Sequence, residues 1–208
     1  SGKEDDFAYS FGELGNGGEA TYNGFVYCVF IDSKGRVWFG TDGKGLVMYD
    51  GFTSRSFVGQ TSGKVVYSIT EDLFGNIWFS TQHQGVYRFD GRNFKNYNLS
   101  HGLSELDIAG LNLDNNGNIV VVNKKGLDII NPKTFEVENI GEESGLKYID
   151  ADLNAVTRDR KGGIWIGTKT GIVRFFNYNK GVSNKTRLIL KRVLWFMKHD
   201  IGFEDSVF

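Results

Sequence analysis

The chain has 208 residues, with 24 Lys and Arg against 25 Asp and Glu for a formal net charge of −1, which excludes the basic excess of a phosphate-tracking nucleic-acid binder. One Cys excludes an intrachain disulfide and a cysteine-based zinc cluster. A hydrophobic share of 40% with 17 Phe, 9 Tyr and 4 Trp makes a folded core, and 28 Gly beside one Pro point to many short strands and tight turns.

In chain order, the small acidic residues 1–6 read as a solvated tether. Phe7 to Phe11 alternates aromatics and predicts an outer strand that zips onto the end of the domain. Internal repeats follow. Asp32-Ser33-Lys34-Gly35-Arg36-Val37-Trp38-Phe39-Gly40-Thr41 returns at Asp72 to Thr81 (DLFGNIWFST) and at Asp159 to Thr168 (DRKGGIWIGT), with a degenerate copy at Asp114 to Val120. The turn glycines Gly35, Gly75, Gly117 and Gly162 stand 40, 42 and 45 residues apart. A second signature closes each unit, at Gly45 to Gly51, Gly85 to Gly91, Gly126 to Asn131 and Gly171 to Phe175.

Within the second unit Val65 to Thr70 is β-branched, Asn76 to Thr81 and Gly85 to Phe89 alternate, and Asn93 to Tyr97 carries two aromatics among polar residues. Four strands in about 40 residues is the period of a propeller blade. The expected fold is all-β, one β-propeller domain over 7–208 with four four-stranded blades at about 24–64, 65–104, 105–146 and 147–197. In each Asp-x-x-Gly turn the Asp accepts from turn amides and the Gly takes the positive φ that closes the hairpin. Lys185 to Met197 (KTRLILKRVLWFM) predicts the last outer strand, an amphipathic helix being the competing reading. It is too short and too charged to span a membrane.

The units resemble the repeat of two-component regulator propellers, which runs Asp-x-x-Gly-x-hydrophobic-Trp-hydrophobic-Gly-Thr and then Gly-Leu-x-x-hydrophobic-Asp-Gly. The likeness covers about 24–179. The third unit departs from it, with Val120 in place of Trp and Asn123 in place of Thr, which predicts one weak blade. The resemblance implies a non-enzymatic sensory module of the bacterial cell envelope, periplasmic or at the cell surface, of the kind that perceives carbohydrates and passes a signal to a downstream protein. A tether like residues 1–6 also follows the lipidated cysteine of many envelope lipoproteins. Such regulators usually hold more than four blades, so the alternatives are a small four-bladed ring or a homodimer completing eight.

In such a fold the loops between second and third strands, and those joining one blade to the next, gather at one end of the axis. That end would collect Asp42, Lys44, Gln82, His83, Gln84, Lys124 and Lys169 from the first class, and Tyr22, His101 and Tyr148 from the second. Such a mixture suits a small polar ligand such as an oligosaccharide, oriented by hydrogen bonds and stacked on an aromatic ring. No carboxylate stands at a fixed short spacing to orient His83 or His101, so neither a metal site nor a catalytic base is expected. The absence of a phosphate loop, dinucleotide-binding glycines or a nucleophile elbow leaves no cofactor to expect. Thr41, Thr81 and Thr168 should bond to nearby backbone. Trp38, Trp78 and Trp165 should pack blade on blade, and Cys28 should be a buried small side chain. Two other classes compete: a lyase using His83 or His101, since antibiotic-inactivating lyases share Gly-x-x-Trp blades, and an interaction scaffold built on the apolar C-terminal stretch.

Overall fold

A computed structural model describes residues 25–57, 65–142, 146 and 149–176. The repeated turns are its local foundation. In the first, one oxygen of Asp32 accepts from the backbone N–H groups of Lys34 and Arg36 at 2.9 Å each, while the other accepts from the Trp38 indole N–H at 2.7 Å. Asp72 does the same for Phe74, Asn76 and Trp78, and Asp159 for Lys161, Gly163 and Trp165. Gly35, Gly75, Gly117 and Gly162 hold φ between 76° and 82°, the left-handed region that a Cβ disfavours. The sequence treats Asp as a turn residue and Trp as packing; the structure joins them through one hydrogen bond.

These turns connect the first two strands of each sheet. Blade 1 contains β1 (Val26–Ile31), β2 (Val37–Thr41), β3 (Leu46–Tyr49) and β4 (Ser54–Ser56). Blade 2 contains β5 (Val66–Glu71), β6 (Ile77–Thr81), β7 (Gly85–Phe89) and β8 (Phe94–Tyr97). Blade 3 contains β9 (Ile108–Leu113), β10 (Ile119–Asn123), β11 (Gly126–Ile130) and β12 (Val137–Ile140). The described part of blade 4 contains β13 (Ala151–Arg158), β14 (Ile164–Thr168) and β15 (Gly171–Phe175). Every sheet is an antiparallel meander in chain order. Among the described residues the chain is all-β, with four blades of a β-propeller. The strands expected at Phe7 to Phe11 and within Lys185 to Met197 lie outside the described residues.

The core lies between blades, because every strand of a meander has two faces to bury. Trp38 and Phe57 of blade 1 pack with Phe79 and Phe89 of blade 2. Trp78 and Tyr97 of blade 2 pack with Leu111, Ile119 and Val121 of blade 3. The alternate residues Val120 and Val122 face blade 4 and meet Ile164 and Ile166. Thus Trp38, Trp78 and Val120 occupy the same position, each pressed against the next sheet. Trp38 and Trp78 are fully buried, so they are packing residues and offer no ring to a ligand. Trp165, in the last described sheet, is half-buried under the Arg174 guanidinium, 5.1 Å from its ring.

The third blade corrects an expectation. Its β10 and β11 are buried at every position, so the unit that departs most from the repeat is no weak blade. Three consecutive valines fill both faces where the other units have one Trp and smaller neighbours. Gly40 shows how tightly sheets approach: a Cβ there would lie 2.6 Å from the Val66 carbonyl oxygen and 2.5 Å from Cys28 Sγ. Cys28 is half-buried rather than buried, and burial pushes its thiol up to about 12.

Candidate functional site

At one end of the axis β5, β9 and β13 begin, and the β6–β7 and β10–β11 turns reach over them. Between them lies a cavity of about 240 Å³, lined on its polar side by Tyr67, Thr81, Gln82, His83, Asp107 and Lys124. Its apolar wall is Ile108 and Ala109 of β9 with Ala151 and Leu153 of β13. Blades 2, 3 and 4 all contribute.

Each polar group is placed by its turn. The β6–β7 connection is so short that His83 takes φ 56°, a left-handed conformation that few non-glycine residues adopt. This aims the imidazole at Asp107, just before β9, and Nδ1 contacts Oδ1. The expectation that no carboxylate orients His83 is therefore overturned: its partner comes from the next blade, 24 residues on. The Tyr67 ring meets Tyr27 edge-on at 5.0 Å. Burial pushes the Tyr67 phenol above its ordinary range, with Tyr27, Asp42 and Asp107 adding to the effect, so it stays a neutral hydroxyl at any physiological pH.

Thr81 stands apart from its equivalents. The Thr41 and Thr168 hydroxyls donate to the carbonyls of Gly45 and Gly171 at 2.9 and 3.0 Å, as expected of them. Thr81, fully buried on the cavity wall, leaves its hydroxyl without a partner. In blade 3 the matching Asn123 accepts from the N–H groups of Lys125 and Gly126 and donates to Asp128 and Ser104. Lys124 beside it projects to the mouth and forms no ion pair among the described residues. Lys125 instead reaches the Ser104 carbonyl at 2.9 Å and Glu105 at 3.8 Å.

Of the residues singled out by sequence, the cavity collects Gln82, His83 and Lys124. Asp42 stays at its edge, bridged to Val65 and close enough to act on Tyr67. Lys44, Gln84, His101 and Lys169 are elsewhere. The Lys44 carbonyl accepts from Ser56, Gln84 accepts from the Tyr87 hydroxyl at 3.1 Å, and Lys169 pairs with Asp150 at 3.0 Å. His101 ends a single 3-10 turn, Leu99–His101, with its ring on Tyr97. Tyr22 and Tyr148 lie outside the described residues. Sequence reasoning missed Tyr67 and Asp107 because it searched loops, and it assigned Thr81 a backbone bond that the structure does not show. Tyr67 and Thr81 lie in β5 and β6, where alternation was the available signal, and Asp107 stands immediately before β9. Among the described residues no three acidic, His or Cys side chains converge to hold a metal ion.

Residues 23–43 match the family described as the two component regulator propeller, so the chain carries that repeat. The sequence has no match among curated proteins. Several solved structures share the fold. The extracellular domain of the system BT4673 from B. thetaiotaomicron aligns over 87% of this chain and 29% of its own at 22% identity, with a TM-score of 0.62. PorZ, a surface component of the type-IX secretion system of Porphyromonas gingivalis, aligns over 82% and 28% at 19% identity, with a TM-score of 0.56. Virginiamycin B lyase from Staphylococcus aureus, as an inactive His-to-Ala form with quinupristin, aligns over 90% and 71% at 14% identity, with a TM-score of 0.62. The chain therefore spans under a third of the BT4673 domain it aligns with.

Proposed function

We propose that the chain is a non-enzymatic sensing module of the bacterial envelope, periplasmic or at the cell surface, whose cavity binds a carbohydrate or similar polar ligand. The bound state is read by a downstream signalling protein. The observation that carries this reading is the cavity itself, a concave site with an apolar wall and convergent polar groups, in which a buried hydroxyl lacks a partner. The repeat at residues 23–43 and the likeness to extracellular domains of two component systems support the signalling context. A thermal-shift screen of the chain against oligosaccharides tests it. A ligand at 100 times its Kd stabilises the fold by about 2.7 kcal/mol, and the shift should vanish in Tyr67→Ala. A shift untouched by that change removes the ligand from the cavity.

A second reading has one observation in its favour. The His83–Asp107 contact is the arrangement that orients an imidazole as a general base, and a lyase on this fold is inactivated by losing one His. Incubation with quinupristin separates the two. The sensing reading expects no turnover, and cleavage that His83→Ala abolishes would replace it.

A further inference from the structure

The lining of this cavity specifies more than polarity. Its volume, about 240 Å³, falls below the roughly 300–1,000 Å³ that enclose drug-sized ligands, which limits the occupant to about one ring. The ring has an apolar wall to lie against, formed by Ile108, Ala109 and Leu153, with Tyr67 also in the lining. Hydrogen-bonding demand is set by Thr81. A buried hydroxyl with no partner is costly, and its two equivalents in blades 1 and 4 are satisfied by backbone, so the position itself does not impose the vacancy. A hydroxyl or carboxylate of an occupant completes it.

Charge distinguishes the occupant further. Asp107 is the one carboxylate of the lining, and His83 already engages one of its oxygens; the other is left to accept from a ligand hydroxyl. Lys124 is the one ammonium of the lining and is without an ion pair among the described residues, while Lys125 and Lys169 both face acids. An ammonium at the mouth of a partly apolar cavity attracts an anion more strongly than one in open water.

We propose that the cavity takes a sugar acid, a single hexuronate unit free or at the end of a saccharide. Lys124 pairs with its carboxylate, and Thr81 and Asp107 hydrogen-bond its ring hydroxyls. This rests on the cavity being the ligand site, as argued under the proposed function. Lys124 then sets the preference for acidic over neutral sugars, and Thr81 serves both.

Isothermal titration with glucuronate, galacturonate and their disaccharides, against glucose, galactose and lactose, tests the assignment on the whole chain. The expected result is uronate binding at least about tenfold tighter than that of the neutral partner, since one charged hydrogen bond contributes roughly that factor. Lys124→Gln should erase the preference, and Thr81→Val should weaken both sugar classes about tenfold without lowering the melting temperature of the free protein. Equal affinity for acidic and neutral sugars, or a uronate preference that survives Lys124→Gln, overturns the acid assignment, while a Thr81→Val loss would still leave the cavity as the site. Absence of binding by any of these sugars, or binding that neither substitution changes, overturns both the acid assignment and the cavity reading.

Discussion

Where blade 2 has Trp78, blade 3 has Val120, and where blade 2 has Thr81, blade 3 has Asn123. Blade 2 fastens its turn and its packing with one residue: Asp72 closes the turn and holds the Trp78 indole that presses on blade 3. Blade 3 separates the two tasks. Asp114 closes the turn and accepts from the Asn118 amide at 3.1 Å, the bond Asn76 also makes to Asp72, but it holds no indole, and valines on both faces of β10 do the packing. At the far end Asn123 joins a buried network. One Asp128 oxygen accepts from the Ser104 backbone N–H and the Asn123 amide, and the other from Asn139 at 2.6 Å. In blade 2 Asn96, Asn98, Gln84 and Tyr87 bond among themselves and to backbone, and Thr81, outside that set, is left unpaired beside a cavity. The repeat thus specifies a position to be filled and a turn to be closed, not one residue to fill it, and of these two blades the one that keeps the consensus Thr leaves that hydroxyl unpaired.

The largest test of this contrast is truncation of the two packing residues. Trp78→Ala should lose about 3–5 kcal/mol of folding free energy, and Val120→Ala about 2 kcal/mol, because less surface is removed. Urea midpoints measure both, and equal losses would break the comparison. Next comes the turn. Asp72→Ala strands a buried indole N–H and should lose about 2 kcal/mol, whereas Asp114→Ala, with no indole to strand, should lose about half that. A smaller effect separates the threonines. Thr41→Val forfeits a buried hydrogen bond and should lose about 1 kcal/mol, while Thr81→Val should be neutral or stabilising in the free protein. Calorimetric melting of the pair suffices, and an equal loss in both would mean that Thr81 is satisfied.

The gentlest test is pH. The Trp165 indole N–H, helped by Gly163, Arg174 and Lys161 against a burial penalty, holds the Asp159 carboxyl well below the usual range. Its contribution is complete above the ordinary carboxylate pKa of about 3.9 and is lost as pH falls through the lowered value. Burial pushes Asp128 the other way, its hydrogen bonds only partly offsetting it. That contribution is complete below about pH 3.9 and declines as pH rises through the raised value. The stability gap between wild type and Asp159→Asn should therefore close below about pH 4, while the wild type should lose ground to Asp128→Asn as pH rises from there. Parallel stability–pH curves for the three proteins would refute both directions.

The fold was legible because its instructions are local. The Asp accepts from the amides two and four positions on and from the indole six positions on, so turn, strand start and packing residue can all be read in one short window. The third blade was misread because two-faced burial by valines needs no motif. The site was only partly legible for a related reason. Gln82, His83 and Lys124 stand in turns that the pattern marks, and they reach the cavity. Asp107 comes from another blade, and Tyr67 and Thr81 lie in strands whose inward face becomes visible only when three sheets are set around an axis. Thr81 and Thr41 hold the same place in the repeat, so the repeat pattern alone does not separate them.

The carboxylate that binds turn amides with one oxygen and an indole with the other has a consequence for how such a chain grows. A unit with both Asp and Trp brings both halves of its own fastener, so a duplicated segment of that kind arrives able to shape its hairpin and to present a ring to whichever sheet comes next. Blade number can then change by copying, without redesign of the blades already there. The axial lining, assembled from several copies, is left free to diverge one residue at a time.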